Sequence, residues 1–115
     1  MVKFDITEIQ DVTVLDASGR ITLGQGSVML RETFRALVAE GKRKFVLCVG
    51  DVSYIDSSGI GEMVSGQHLV TNSGGEIKLA ALTKRVKDLL QITKLYTDFS
   101  VYDTSDDAVQ AFLEA

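Results

Sequence analysis

The sequence has 115 residues, 45% apolar and 24% charged, with a formal net charge of −4, the size and balance of one globular domain. One Cys (Cys48) and one His (His68), with no Trp and no Pro, exclude a disulfide framework and a zinc site of about four ligands, and point to a reducing compartment. No basic patch stands out to suggest nucleic acid, and the longest apolar run, Phe45–Val49, is far short of the roughly 20 residues of a membrane helix.

Lys3–Ile9 and Asp11–Leu15 alternate polar and apolar residues. They predict two strands joined by a tight turn near Gln10, the second able to run on through Ile21. Gly24-Gln25-Gly26-Ser27 breaks that pattern, with Ser27 as the expected N-cap of a helix over Val28–Glu40. Leu30, Phe34, Leu37 and Val38 fall on one face of it, and Gly41 fits its C-terminal cap. Lys44–Val49 is a short, nearly continuous apolar segment that suits a central strand covered on both faces. A second helix is expected from Ser58 to about Asn72, with Ile60, Met63, Val64, Gln67 and Val70 inward and Gly74-Gly75 ending it. Ile77–Leu82 reads as a fourth strand, and Thr83 caps a third helix that turns Val86, Leu89 and Leu90 inward. Phe99–Tyr102 is a last short strand. Thr104 with Asp107 resembles a capping box, opening a final helix with Ala108, Val109 and Phe112 on one side. The order ββαβαβαβα predicts an α/β fold over residues 1–115: a small mixed, mostly parallel sheet of four to five strands with about four helices.

The residues do not assemble an enzyme's constellation. His68 lies within a helical pattern as an ordinary surface or boundary residue, and Cys48 sits in the most apolar strand, where burial raises a thiol's pKa. Gly41-Lys42 is followed by Arg43 rather than Ser or Thr, so there is no P-loop, and Gly24-Gln25-Gly26 and Gly59-Ile60-Gly61 lack the third glycine of a dinucleotide fingerprint. Asp5, Asp11 and Asp16 form a solvated face, and Asp106-Asp107 complement a helix dipole. No cofactor is implied. The N-terminal stretch has no signal-peptide core, so a cytoplasmic protein without membrane insertion is expected.

The segment from Asp51 to Gly61 is richer. It follows the buried strand and opens a helix, where open α/β sheets meet ligands and partners. Its serines have two readings. A hydroxyl there can cap the helix, worth about 1 kcal/mol. A phosphate there would face unpaired N–H groups and the positive end of the dipole. Asp56 or Ser57 can cap while Ser58 projects, and Gly59 and Gly61 let a partner approach closely.

Asp56-Ser57-Ser58-Gly59-Ile60-Gly61, with the strand–helix order and the length, resembles the STAS family of sulfate-transporter and anti-sigma-factor-antagonist domains. Leu79-Ala80-Ala81-Leu82-Thr83 with Val86, Leu89 and Leu90, and then Ile92-Thr93-Lys94-Leu95, are similar to the later part of that pattern, so the resemblance covers nearly the whole chain. It implies an anti-sigma-factor antagonist that binds an anti-sigma factor, releases a sigma factor, and is switched off when that partner, a serine-protein kinase, phosphorylates Ser58. A serine phosphatase would reset it. The resemblance assigns the partner surface to Asp56, Ser57, Ser58, Gly59, Ile60 and Gly61, with Arg20 and Thr22 nearby. These last two stand where many antagonists carry acidic residues in a Gly-Glu-Leu-Asp-like stretch. Related domains also serve as scaffold subunits of signalling assemblies or cytoplasmic accessory subunits of membrane transporters, which is the alternative. A third possibility, Ser58 as a catalytic nucleophile, lacks a neighbouring His.

Overall fold

A computed structural model describes residues 2–95 and 99–114. Val12–Ile21 (β2) forms the antiparallel partner of Lys3–Ile9 (β1), through a turn at Gln10, whose φ is +55°. The next strands, Lys44–Ile55 (β3), Glu76–Ala80 (β4) and Ser100–Tyr102 (β5), all run parallel to β2, giving one sheet in the order β1-β2-β3-β4-β5. Gln25–Ala39 (α1), Ser57–Asn72 (α2), Lys84–Ile92 (α3) and Ser105–Leu113 (α4) connect or follow these strands. The mixed, mostly parallel sheet with four helices is the expected architecture.

Alternation along each strand divides the apolar residues into two cores. Leu15, Ala17, Phe45, Leu47, Ile77 and Leu79 face α1, α2 and α3, which contribute Leu30, Phe34, Ile60, Met63, Val86 and Leu90. Val12, Val14, Val46 and Ala80 face α4 and its Ala108, Val109 and Phe112. Lys78 lies on this smaller side, buried at 8% exposure. Its charge is tolerated because Glu76 Oε2 is 3.1 Å away and the Phe112 ring centroid 4.6 Å away. Phe34 of α1 meets Phe45 of β3 edge-to-face, centroids 5.5 Å apart. Both rings are fully buried.

Several boundaries differ from expectation for tertiary reasons. β3 does not stop at Val49 but continues to Ile55. Two register shifts against β2, between Asp16 and Ser18 and between Gly19 and Arg20, interrupt its alternation. Inward residues are two apart as far as Val49 and then three apart at Val52 and Ile55. β4 ends at Ala80 rather than Leu82, because Ala81 turns to φ +58°. α1 begins three residues before Val28, and Gly24, at φ +98°, occupies its N-cap without a side-chain bond. Ser27 is therefore not the cap. It is buried in the first turn, its hydroxyl donating to the Gly24 carbonyl at 3.2 Å. The other caps stand as expected: Thr83 Oγ1 accepts from Val86 N–H, and Thr104 Oγ1 from Asp107 N–H.

Phe34→Ala should empty the space between α1 and β3 and cost about 3–5 kcal/mol. Urea unfolding followed by circular dichroism would check this. A loss under about 1 kcal/mol would mean that α1 packs far more loosely than the edge-to-face pair implies.

Candidate functional site

Parallel strands β2 and β3 end side by side, Arg20 opposite Tyr54 and Ile21 opposite Ile55. The chain leaving β3 enters α2 directly through Asp56. Its N–H donates to the Ile21 carbonyl at 3.3 Å, and its own carbonyl accepts the first helical bond from Ile60 at 3.1 Å. The Asp56 side chain works in two directions. Oδ1 accepts from Gly59 N–H at 3.0 Å and caps the helix, while Oδ2 accepts from Leu23 N–H at 3.0 Å, in the loop between β2 and α1. One carboxylate thus joins two loops that are 33 residues apart in sequence. Partial burial raises its pKa, but the N–H groups of Gly59, Leu23 and Ser58 outweigh that and hold it below the ordinary aspartate value.

Gly59 is required by close approach. A Cβ there would come within 2.5 Å of the Ile21 carbonyl oxygen and 2.6 Å of Ile55 Cγ1. At Gly61 a Cβ would meet nothing within 4 Å.

Asp56 therefore fills the capping role, and the two serines occupy the first turn free of it. Ser57 is exposed and Ser58 half-buried. The amides of Gly59 and Leu23 already serve the Asp56 carboxylate, so a phosphate on Ser58 could use them only by displacing it. Ile60, expected at a partner surface, points into the core at 1% exposure, and Gly59 is buried as well. Both anchor the helix, and little of their own surface is open to a partner. Arg20 and Thr22 do lie beside the serine loop. Thr22 is half-buried and its carbonyl accepts from Ser27 N–H at 3.0 Å. Arg20 is exposed and lies over the Tyr54 ring, 4.8 Å from its centroid.

Three residues escaped the sequence. Leu23, 78% exposed, stands on the backbone that Asp56 holds. Tyr54 carries Arg20 on its ring. Arg85, from the first turn of α3, also lies over that ring at 4.0 Å, and its Nε donates to the Ile55 carbonyl at 2.8 Å. Nothing in the linear pattern ties Arg85 to a segment 30 residues earlier.

His68 is exposed, ten residues beyond Ser58 on the same helix, so it stands roughly 15 Å along the axis from the Ser58 hydroxyl and is not placed to take its proton. Burial pushes the Cys48 thiol pKa up. No described helix is long and apolar enough to cross a membrane.

Residues 3–108 match the STAS domain model. The chain belongs to the STAS domain family. The anti-sigma-B factor antagonist of Bacillus subtilis is 30% identical over 109 residues, 95% of this chain and 98% of that protein. A candidate anti-sigma factor antagonist of Thermotoga maritima, known from its crystal structure, is 25% identical. It superposes with a TM-score of 0.86 over 94% of this chain and 92% of its own. The anti-sigma factor antagonist SpoIIAA matches in its unphosphorylated form (TM-score 0.75, 13% identity, 98% of this chain and 99% of that one). The phosphorylated form, from Bacillus, matches equally well (TM-score 0.76, 15% identity, 96% and 99%). At that identity the likeness is one of fold. The STAS fold of this chain is as close to the one form as to the other.

Removing the Asp56 carboxylate tests the bracket. Asp56→Ala should cost about 1–2 kcal/mol at neutral pH, from the lost cap and the lost Leu23 bond. Because the folded pKa is depressed, this stabilisation is present above the unfolded value of about 3.9 and fades as the pH falls below it toward the folded one. Denaturant unfolding should show the gap between wild type and variant full at pH 7 and narrowing below about pH 4. A gap independent of pH would show that the charge of the carboxylate contributes nothing.

Proposed function

We propose that this STAS domain is an anti-sigma-factor antagonist that works by partner exchange, with Ser58 as the phosphoacceptor. It binds an anti-sigma factor that is also a serine kinase and so frees a sigma factor; phosphorylation ends the complex, and a serine phosphatase restores it. The observation that carries this reading is the position of Ser58. Ser58 is half-buried in the first turn of a helix whose cap is already filled by Asp56, so its hydroxyl can react without unmaking the cap. Kinship to the Bacillus subtilis antagonist along 95% of the chain supports the same reading over a scaffold or transporter-accessory role.

The transfer is simple in outline. The Ser58 oxygen attacks the γ-phosphorus of ATP held by the partner, the bond to the β-phosphate oxygen breaks and ADP leaves, and the hydroxyl proton passes to a base on the partner. Hydrolysis later returns inorganic phosphate and the free hydroxyl. The STAS domain supplies a positioned hydroxyl and a surface, and the proposed setting is the cytoplasm, where such kinases and ATP reside.

The phosphate then acts by charge. It adds about −1.5 to −2 units at pH 7. The Asp56 carboxylate two residues earlier is already ionised, held so by its N–H donors. A second anion beside it favours water over a closed interface. A difference of only about 1.4 kcal/mol at the contact changes affinity tenfold, so no refolding of the domain is needed.

Incubating the protein with an anti-sigma-factor kinase and ATP should add one phosphate, mapped to Ser58 by mass spectrometry. Ser58→Ala should bind that kinase and resist release by ATP, while Ser58→Glu should bind about tenfold or more weakly. Phosphate found elsewhere, or Ser58→Glu binding as tightly as wild type, would overturn the switch.

A further inference from the structure

Two guanidiniums converge on one aromatic ring at the end of β3. Arg85 Cζ lies 4.0 Å and Arg20 Cζ 4.8 Å from the Tyr54 centroid. Arg85 is fixed further by its Nε bond to the Ile55 carbonyl. Stacking occupies the flat face of a guanidinium and leaves its N–H edges for other partners. Arg20 keeps its whole fork, and Arg85 the N–H groups beyond Nε.

Charge makes this cluster unusual for the molecule. The chain carries a net −4, and most of its cations lie within ion-pair distance of a carboxylate. Lys84, adjacent to Arg85, reaches Asp88 at 2.8 Å. Among the described residues neither Arg20 nor Arg85 has such a partner. Arg43, Lys87 and Lys94 also stand outside these ion pairs, but Arg20 and Arg85 differ in sharing one ring, that of Tyr54, two residues before Asp56-Ser57-Ser58. Three residues beyond Arg20, Leu23 projects its side chain into solvent from a backbone that Asp56 holds in place.

We propose that Arg20, Tyr54 and Arg85, with Leu23 as an apolar knob, form a docking face for an acidic segment of a partner protein. Carboxylates of that segment pair with the outward guanidinium forks, which suit a planar bidentate acceptor. The stacked, partly immobilised arginines lose less side-chain entropy on binding than free ones would. The inference rests on the partner-exchange reading, and it specifies the chemistry of the partner's contact surface. It also gives the switch a local mechanism: a phosphate on Ser58, four residues after Tyr54 in sequence, adds negative charge that disfavours an acidic segment.

The probe is an acetylated hexaglutamate peptide, with hexalysine as control, titrated into the 15N-labelled protein. Shifts should centre on the backbone of Arg20, Leu23 and Tyr54 and on the Arg85 side-chain Nε signal. Raising salt from about 50 mM to about 500 mM should largely abolish them. The Arg20 side chain makes no hydrogen bond to the described residues, so Arg20→Glu should keep a native spectrum and weaken binding about tenfold. Arg85→Gln, which loses a structural bond, serves as the second variant once its spectrum is shown to be native. Shifts centred elsewhere, an equal response to hexalysine, or hexaglutamate binding unchanged in Arg20→Glu would overturn the docking face. These results are separable from the fate of the switch. A Ser58 that no kinase modifies would leave the titration as it stands, and a titration that misses this face would leave Ser58 phosphorylation untouched.

Discussion

The arrangement at the serine loop depends on one side chain. The Asp56 carboxylate spends one oxygen on the N-terminus of α2 and the other on the loop that leads into α1. These are the two segments that emerge at the carboxyl ends of β2 and β3, where a parallel sheet offers its surface to partners. Without the carboxylate, the start of α2 would be tied to the end of β2 by the Asp56 N–H bond to the Ile21 carbonyl, and Leu23 would lose its link to α2. With it, the position of Leu23 and the first turn of α2 are set against the same pair of strand ends. Gly59 completes the constraint, since only a residue without Cβ lets α2 start this close to the Ile21 carbonyl.

Much of this fold could be read from the residues in order. The apolar face of α1 at Leu30, Phe34 and Leu37, the threonine caps of α3 and α4, and the strand–helix alternation are local patterns that survive into the structure. The serine loop was legible too, because Asp-Ser-Ser-Gly after an apolar strand is chemically distinctive. The continuation of β3 was not. Its bulges change the inward spacing from two residues to three, so Val52 and Ile55 look out of phase with Phe45 and Leu47 although all four enter the same core. The start of α1 was hidden for a related reason. Gly26 packs where a Cβ would lie 2.9 Å from the Arg20 carbonyl, a contact made by the fold and invisible in the local run. Arg85 is the extreme case, since its place over Tyr54 exists only once α3 has docked beside the end of β3.

The electrostatics of the loop divide into a satisfied part and an unsatisfied part. The Asp56 carboxylate is held ionised by backbone donors. The guanidiniums of Arg20 and Arg85 are oriented by an aromatic face rather than by a counter-ion. A phosphate on Ser58 would add charge two residues from a carboxylate that backbone amides already hold. The switch proposed for this STAS domain therefore turns on a redistribution of charge across a rigid surface.

The bond from Leu23 to Asp56 also bears on how such a protein can drift through evolution. Surface loops ordinarily absorb insertions at little cost. Here Thr22, Leu23 and Gly24 have only three residues in which to leave β2, place an N–H 3.0 Å from Asp56 Oδ2, and begin α1. One more residue in that connection would shift Leu23 off its acceptor or rotate α1 against Phe45. Length variation is therefore better tolerated elsewhere, while partner preference can be retuned here by side-chain exchange at Arg20 or Leu23 with the backbone path unchanged.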